Sequence, residues 1–164
     1  MNIEKKRISS EVLFSAIQDL LAENRQAVFT ITGMSMWPFL CHGRDQVIVE
    51  KCDTKTLKIG DIILFELPGR RYILHRITCM QGEWIQTTGD GNYYRDRFFP
   101  ASCVRAKVIA LIRKEKNIDC EVWTWKLIFR IWMLLFPVRK YLLSLLKGIG
   151  KIKRGLSSLR KKPL

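Results

Sequence analysis

No Asp or Glu follows Glu121, whereas eleven Lys and Arg do, so the formal charge of +14 leaves only +3 on residues 1–121. The basicity belongs to a tail, and the part of the chain before it is nearly balanced. A high net charge spread in this way is not by itself a nucleic-acid signature. Histidine is scarce too. His42 and His75 are the only two, so any imidazole chemistry falls on one of them. The five cysteines, Cys41, Cys52, Cys79, Cys103 and Cys120, form no CxxC pair and are widely and irregularly spaced. That pattern excludes a disulfide framework and a zinc site, and it fits reduced thiols. No apolar h-region follows the charged stretch Met1 to Arg7, so no secretory signal peptide is expected. Internal repeats, low-complexity segments, a dinucleotide-binding loop and a Walker loop are all missing, and no EF-hand spacing is present.

What is present reads as one folded unit with appendages, since 164 residues with 48% hydrophobic content can bury a core. Residues 9–24 have helical periodicity: Ser9 or Ser10 can cap, and Val12, Leu13, Ala16, Ile17, Leu20 and Leu21 share one apolar face. That face is too narrow and interrupted to span a bilayer and is expected to pack on the domain. From Ala27 the pattern changes to short runs rich in Val, Ile, Phe and Thr, with Gly, Pro and Asp between them. Strands are predicted near 27–31, 46–51, 61–66, 72–79, 84–88 and 105–111. A loop is predicted over 89–102, where Phe99-Pro100 should block regular pairing. The expected fold is mainly β, with an N-terminal amphipathic helix (1–26), a β-rich domain (27–118) and a tail of basic amphipathic helices (119–164).

The heptad Thr32-Gly33-Met34-Ser35-Met36-Trp37-Pro38 places a serine in a Gly-led, Pro-closed turn between apolar runs, which is a way of presenting a nucleophile. Ser35 needs a base at neutral pH. His42 is close in sequence within a turn of its own. His75 lies in Tyr72-Ile73-Leu74-His75-Arg76-Ile77, where alternation puts Ile73, His75 and Ile77 on one strand face. A catalytic imidazole also needs an acceptor for its second nitrogen, and the loop Thr88-Gly89-Asp90-Gly91-Asn92-Tyr93-Tyr94-Arg95-Asp96 offers Asp90 and Asp96.

Four blocks, Gly33-Met34-Ser35-Met36-Trp37-Pro38, Lys58-Ile59-Gly60-Asp61-Ile62-Ile63, Leu74-His75-Arg76-Ile77 and Gly89-Asp90-Gly91-Asn92 with Asp96, resemble in order and approximate spacing the successive boxes of the signal peptidase I superfamily. The resemblance covers about residues 28–111. Histidine in place of the dyad lysine resembles the endoplasmic-reticulum-type branch, with its Ser-His catalytic pair, more than the Ser-Lys branch of bacterial signal peptidases and LexA-like proteins. The resemblance implies Ser35 as nucleophile and His75 as general base and acid. Both Asp90 and Asp96 match the acid box; Asp96 is preferred as the partner of His75, with Asp90 ordering the loop. It further implies an oxyanion hole at the Ser35 amide, helped by the Gly33 side of the turn, with Met34, Met36 and Pro38 in the substrate-binding surroundings. The substrate would be an extended peptide or protein, a signal or leader peptide cut through an acyl-enzyme, without metal or cofactor. The alternatives are a LexA-like self-cleaving regulator and a non-catalytic membrane adaptor. The chain departs from the family pattern at Gly89 and at Trp37, and the family's N-terminal membrane anchor is not expected here.

The tail begins with an apolar run of 17 residues, Val122 to Val138, with Arg130 near its middle. On an insertion scale that cation costs roughly 2.5 to 3.5 kcal/mol, while the large apolar residues each return roughly 0.3 to 0.6, which makes a span marginal. Lys126, Arg130, Lys140, Ser144, Lys147, Lys151 and Arg154 nearly follow one helical stripe, interrupted at Met133 and Pro137. A helix of that kind lies in the interface with its cations toward anionic headgroups. Residues 122–154 are therefore expected to contact a membrane surface, and nucleic acid is not an expected partner. The domain is expected peripherally on the cytoplasmic face, with a single C-terminal span as the alternative.

Overall fold

The computed structural model describes residues 10–69, 71–113 and 116–159, and side chains within 11–149 of these. Ser9, and the side chains of Ser10, Lys151 and Arg154, lie outside the described part. The chain is β-rich: an eight-stranded antiparallel sheet and three α-helices. The strands are β1 (Ala27–Thr30), β2 (Gln46–Glu50), β3 (Ile62–Leu67), β4 (Arg71–Gln81), β5 (Trp84–Thr88), β6 (Phe99–Pro100), β7 (Val104–Arg113) and β8 (Lys116–Asp119). They are ordered β1-β2-β7-β3-β4-β5-β6, with β8 paired to β7. The helices are α1 (Ser10–Ala22), α2 (Trp123–Leu134) and α3 (Arg139–Leu159).

The central strand β3 is buried along Ile62-Ile63-Leu64-Phe65, because both faces of the sheet are covered. On one face Ile62 and Leu64 join Val47, Val49, Val108 and Leu111. Ile63 and Phe65 pack on the other with Ile77, Ile85 and Phe99. Helix α1 closes the first face: Ile17 and Leu21 enter the core, and the Phe14 ring stacks on Tyr72 with centroids 3.9 Å apart. The expected docking of this helix on the domain is therefore observed.

Two differences from the sequence expectation have local causes. Phe99-Pro100 pairs with Trp84 and Ile85 as a short outer strand instead of blocking pairing. Proline lacks only its N–H, a loss tolerated at a sheet edge. Strand β8 is polar and has no alternating pattern to betray it, yet it pairs with Ala110–Arg113. The tail, expected as amphipathic helices with an interruption at Pro137, is not continuous: a 3-10 turn at Phe136–Val138, with Pro137 inside it, separates α2 from α3.

Nor does the tail face only outward. Phe129 joins the cluster that contains Val47 and Leu64, and Trp132, Arg139 and Leu143 are buried. Leu127, Ile131, Leu134, Leu145 and Ile149 remain exposed. No described helix is long and apolar enough to cross a membrane.

Candidate active site

Ser35 sits in the excursion that leaves β1 at Thr30 and rejoins the sheet at Gln46. Two backbone bonds close its neck, Ile31 N–H to Asp45 O (2.9 Å) and Gly43 N–H to Ile31 O (2.9 Å). The buried Asp45 carboxylate adds to this, accepting from the Cys41 N–H at 2.8 Å and from the Arg44 guanidinium. Burial raises the Asp45 pKa, but the Arg44 and Cys41 hydrogen bonds and the charges of Arg44 and Arg113 outweigh it and hold the carboxyl below its ordinary value. Inside the excursion Gly33 has φ +90°, a region open to glycine and closed to most side chains. Its N–H donates to His42 Nδ1 at 3.0 Å. His42 thus braces the turn, and Gly33 has no amide to spare for an oxyanion.

Among the described residues no acceptor takes the Ser35 N–H or its hydroxyl. Met34 is exposed beside Ser35, and Met36, at 2% exposure, lines the same cavity as Ser35. Pro38, in a cis peptide with Trp37, accepts from Arg113 through its carbonyl, away from the cavity that holds Ser35.

That cavity, of about 530 Å3, is lined by Ser35 and His75 together with Phe14, Phe29, Tyr72 and Leu74. His75 reaches it from β4, where it pairs with Ile63 of β3 and lies buried edge-on to Phe65. Its Nδ1 is 2.6 Å from Asp96 Oδ2. Thr87 Oγ1 donates to the same oxygen at 2.6 Å. The backbone around Asp96 is pinned as well: its N–H donates to Thr87 O (2.8 Å), and its carbonyl accepts from Gln86 Nε2 (3.1 Å). Burial pushes the Asp96 carboxyl up, but the hydrogen bonds from His75 and Thr87 and the charge interaction with His75 leave it below its ordinary value. An ionised Asp96 accepts an Nδ1–H and leaves His75 Nε2 as the basic nitrogen.

Asp90 has a different place. It is fully buried and takes both Arg76 Nε (2.9 Å) and Nη2 (2.7 Å), while Arg76 Nη1 donates to Gly60 O at 2.8 Å. Asp96 and not Asp90 contacts His75, so the two acids of the loop divide their tasks. The second sequence block, around Gly60, serves as a seat for Arg76.

The flanking glycines are where sequence reasoning was weakest. A Cβ on Gly89 would lie 2.4 Å from Ser35 O and 3.0 Å from His75 Nε2, and one on Gly91 would lie 2.7 Å from Met34 O. The Gly91 N–H donates to Ser35 O at 2.7 Å. Close packing of two backbones requires glycine here, and the Gly-Asp-Gly pattern could have signalled it. Thr87, Arg76, Trp132 and Arg139 carried no such signal, because their roles depend on contacts between distant segments.

No group of three or more His, Cys, Asp or Glu among the described residues is arranged to hold a metal ion. The sequence matches no known protein-family model and no curated protein.

Proposed function

We propose that the chain is a serine endopeptidase of the signal peptidase I type, with the fold of that superfamily and the Ser-His pair of its endoplasmic-reticulum-type branch. The observation that carries this reading is the His75 Nδ1 to Asp96 Oδ2 contact of 2.6 Å on a histidine that shares one cavity with Ser35. A buried imidazole held in one tautomer by a carboxylate, beside a serine in a rigid turn, is the arrangement that nucleophilic acyl transfer needs.

In the reaction, His75 Nε2 removes the Ser35 Oγ proton as Oγ attacks the scissile carbonyl. The Ser35 N–H, which no protein group occupies among the described residues, is the donor available to the developing oxyanion. His75 then delivers its proton to the departing amine, and water, deprotonated by the same nitrogen, releases the acyl group. Ser35 Oγ and His75 are not hydrogen-bonded in the free protein, as is common before substrate closes such a site.

The tail supports a membrane role. Leu127, Ile131 and Leu134 form an exposed row on α2, Leu145 and Ile149 are exposed on α3, and Arg130, Lys140 and Lys147 are exposed cations of the same two helices. This combination suits peripheral binding to an anionic bilayer, at the cytoplasmic face under the positive-inside rule. The substrate would be an extended signal or leader peptide presented near that surface. Ser35→Ala and His75→Ala should each abolish cleavage of such a peptide by the purified chain; a self-cleaving regulator would be inactive toward peptides added in trans, and an adaptor would be indifferent to both changes.

A further inference from the structure

Three residues of the tail converge on the backbone that supports the nucleophile. Phe129 of α2 lies under the Arg76 guanidinium, its ring centroid 3.9 Å from the Arg76 carbon. Trp132 Nε1 donates to Asp90 O at 3.1 Å. At the start of α3, Arg139 is fully buried and reaches Gly89 O and Asn92 O at 3.4 Å each and Trp132 O at 3.0 Å. The turn Gly89–Asn92 is thereby held from below by the tail and from the side by Arg76, and its Gly91 N–H in turn holds Ser35 O.

A membrane tether requires only an outward-facing apolar row and cations. It does not require a buried arginine bonded to carbonyls of the loop that abuts the serine. We propose that Trp132 and Arg139 are positioning residues: through the Gly89–Asn92 turn they set the placement of Ser35, so that the tail is a structural part of the site as well as its anchor. For its catalytic consequence the proposal rests on the peptidase reading above.

The test uses the full chain and four variants. Trp132→Phe keeps an aromatic ring and removes the donor to Asp90 O together with part of the buried indole; Arg139→Met keeps length and removes the donors; Arg139→Lys restores charge. Trp84→Phe, at an exposed tryptophan on β5, is the matched control. Three quantities are read: the saturating rate and the half-saturating concentration for phosphonylation of Ser35 by a fluorophosphonate probe, in which an Oγ–P bond forms as fluoride leaves, and hydrogen exchange at the Gly91 amide relative to core amides of Val47 and Phe65.

Trp132→Phe and Arg139→Met are expected to lower the saturating rate about tenfold to a hundredfold with the half-saturating concentration unchanged, the size of effect that a small misplacement of a reacting group produces. Gly91 exchange should rise while Val47 and Phe65 stay protected, Arg139→Lys should recover part of the loss, and Trp84→Phe should resemble the parent. Wild-type phosphonylation rates and wild-type Gly91 protection in both variants would overturn the proposal, as would Gly91 exchange that rises only in step with the core. If the parent chain itself is not phosphonylated, the peptidase reading fails; the clamp on the Ser35 turn then stands or falls on Gly91 exchange alone.

Discussion

The Gly91 N–H donates to the Ser35 carbonyl at 2.7 Å, tying the acid loop to the nucleophile turn backbone to backbone. The contact leaves no room for a side chain on either glycine of the loop, since a Cβ on Gly89 or Gly91 would fall within 3 Å of a backbone oxygen of residues 34–37. Gly89→Ala and Gly91→Ala should each destabilise the fold by about 1–3 kcal/mol, the usual cost of forcing atoms into a filled space. Urea denaturation measures this, and probe labelling of Ser35 should fall by more than the loss of folded protein explains.

The two aspartates of the loop should fail differently. Asp96→Asn leaves His75 without its anionic partner and should lower the rate of reaction at Ser35 by roughly four orders of magnitude, as loss of the orienting acid does in serine hydrolases generally, at a smaller cost in stability than Asp90→Asn. Asp90→Asn leaves the buried Arg76 guanidinium uncompensated and should cost about 3–5 kcal/mol of folding free energy. Paired rate and denaturation measurements on both variants separate orientation from structure.

Acid should act through Asp96. The fold holds this carboxyl below its ordinary value. Its stabilising contribution is therefore complete above the unfolded-state pKa of about 3.9 and is withdrawn as the pH falls through the lowered native value. The difference in unfolding free energy between the parent and Asp96→Asn should be constant above about pH 5 and shrink below about pH 4. A difference that grew on acidification would have the wrong sign.

The exposed row on α2 should govern lipid binding. Leu127→Ser with Leu134→Ser removes two apolar groups that stand 48% and 79% exposed. Each leucine is worth about 1.5–3 kcal/mol on full burial, so even partial insertion predicts at least a tenfold weaker partition onto anionic vesicles. Salt should weaken the parent's binding, because the cations act through screened attraction. Vesicle cosedimentation at two salt concentrations measures both effects.

Local pattern carried most of the strand framework. The alternation of Tyr72-Ile73-Leu74-His75-Arg76-Ile77 announced β4, and Gly33 with Pro38 marked the excursion that holds Ser35. Asp90 and Asp96 were visible as a pair but not as separate functions, since only the pairing of distant segments brings Arg76 to one and Thr87 to the other. Proximity in sequence made His42 look incidental, although it holds the Gly33 amide. Pro137 hinted at the break in the tail. Nothing local distinguished the buried Arg139 from the exposed cations around it, because burial of an arginine is decided by the carbonyls waiting in another part of the chain.

The most direct measurement is mass-spectrometric mapping of the adduct formed when the purified full-length chain reacts with a fluorophosphonate. A single adduct on Ser35, absent in Ser35→Ala and strongly slowed in His75→Ala, is the predicted result. No adduct on the parent, or an adduct on Ser35 that forms equally fast without His75, would contradict a Ser35-His75 catalytic pair.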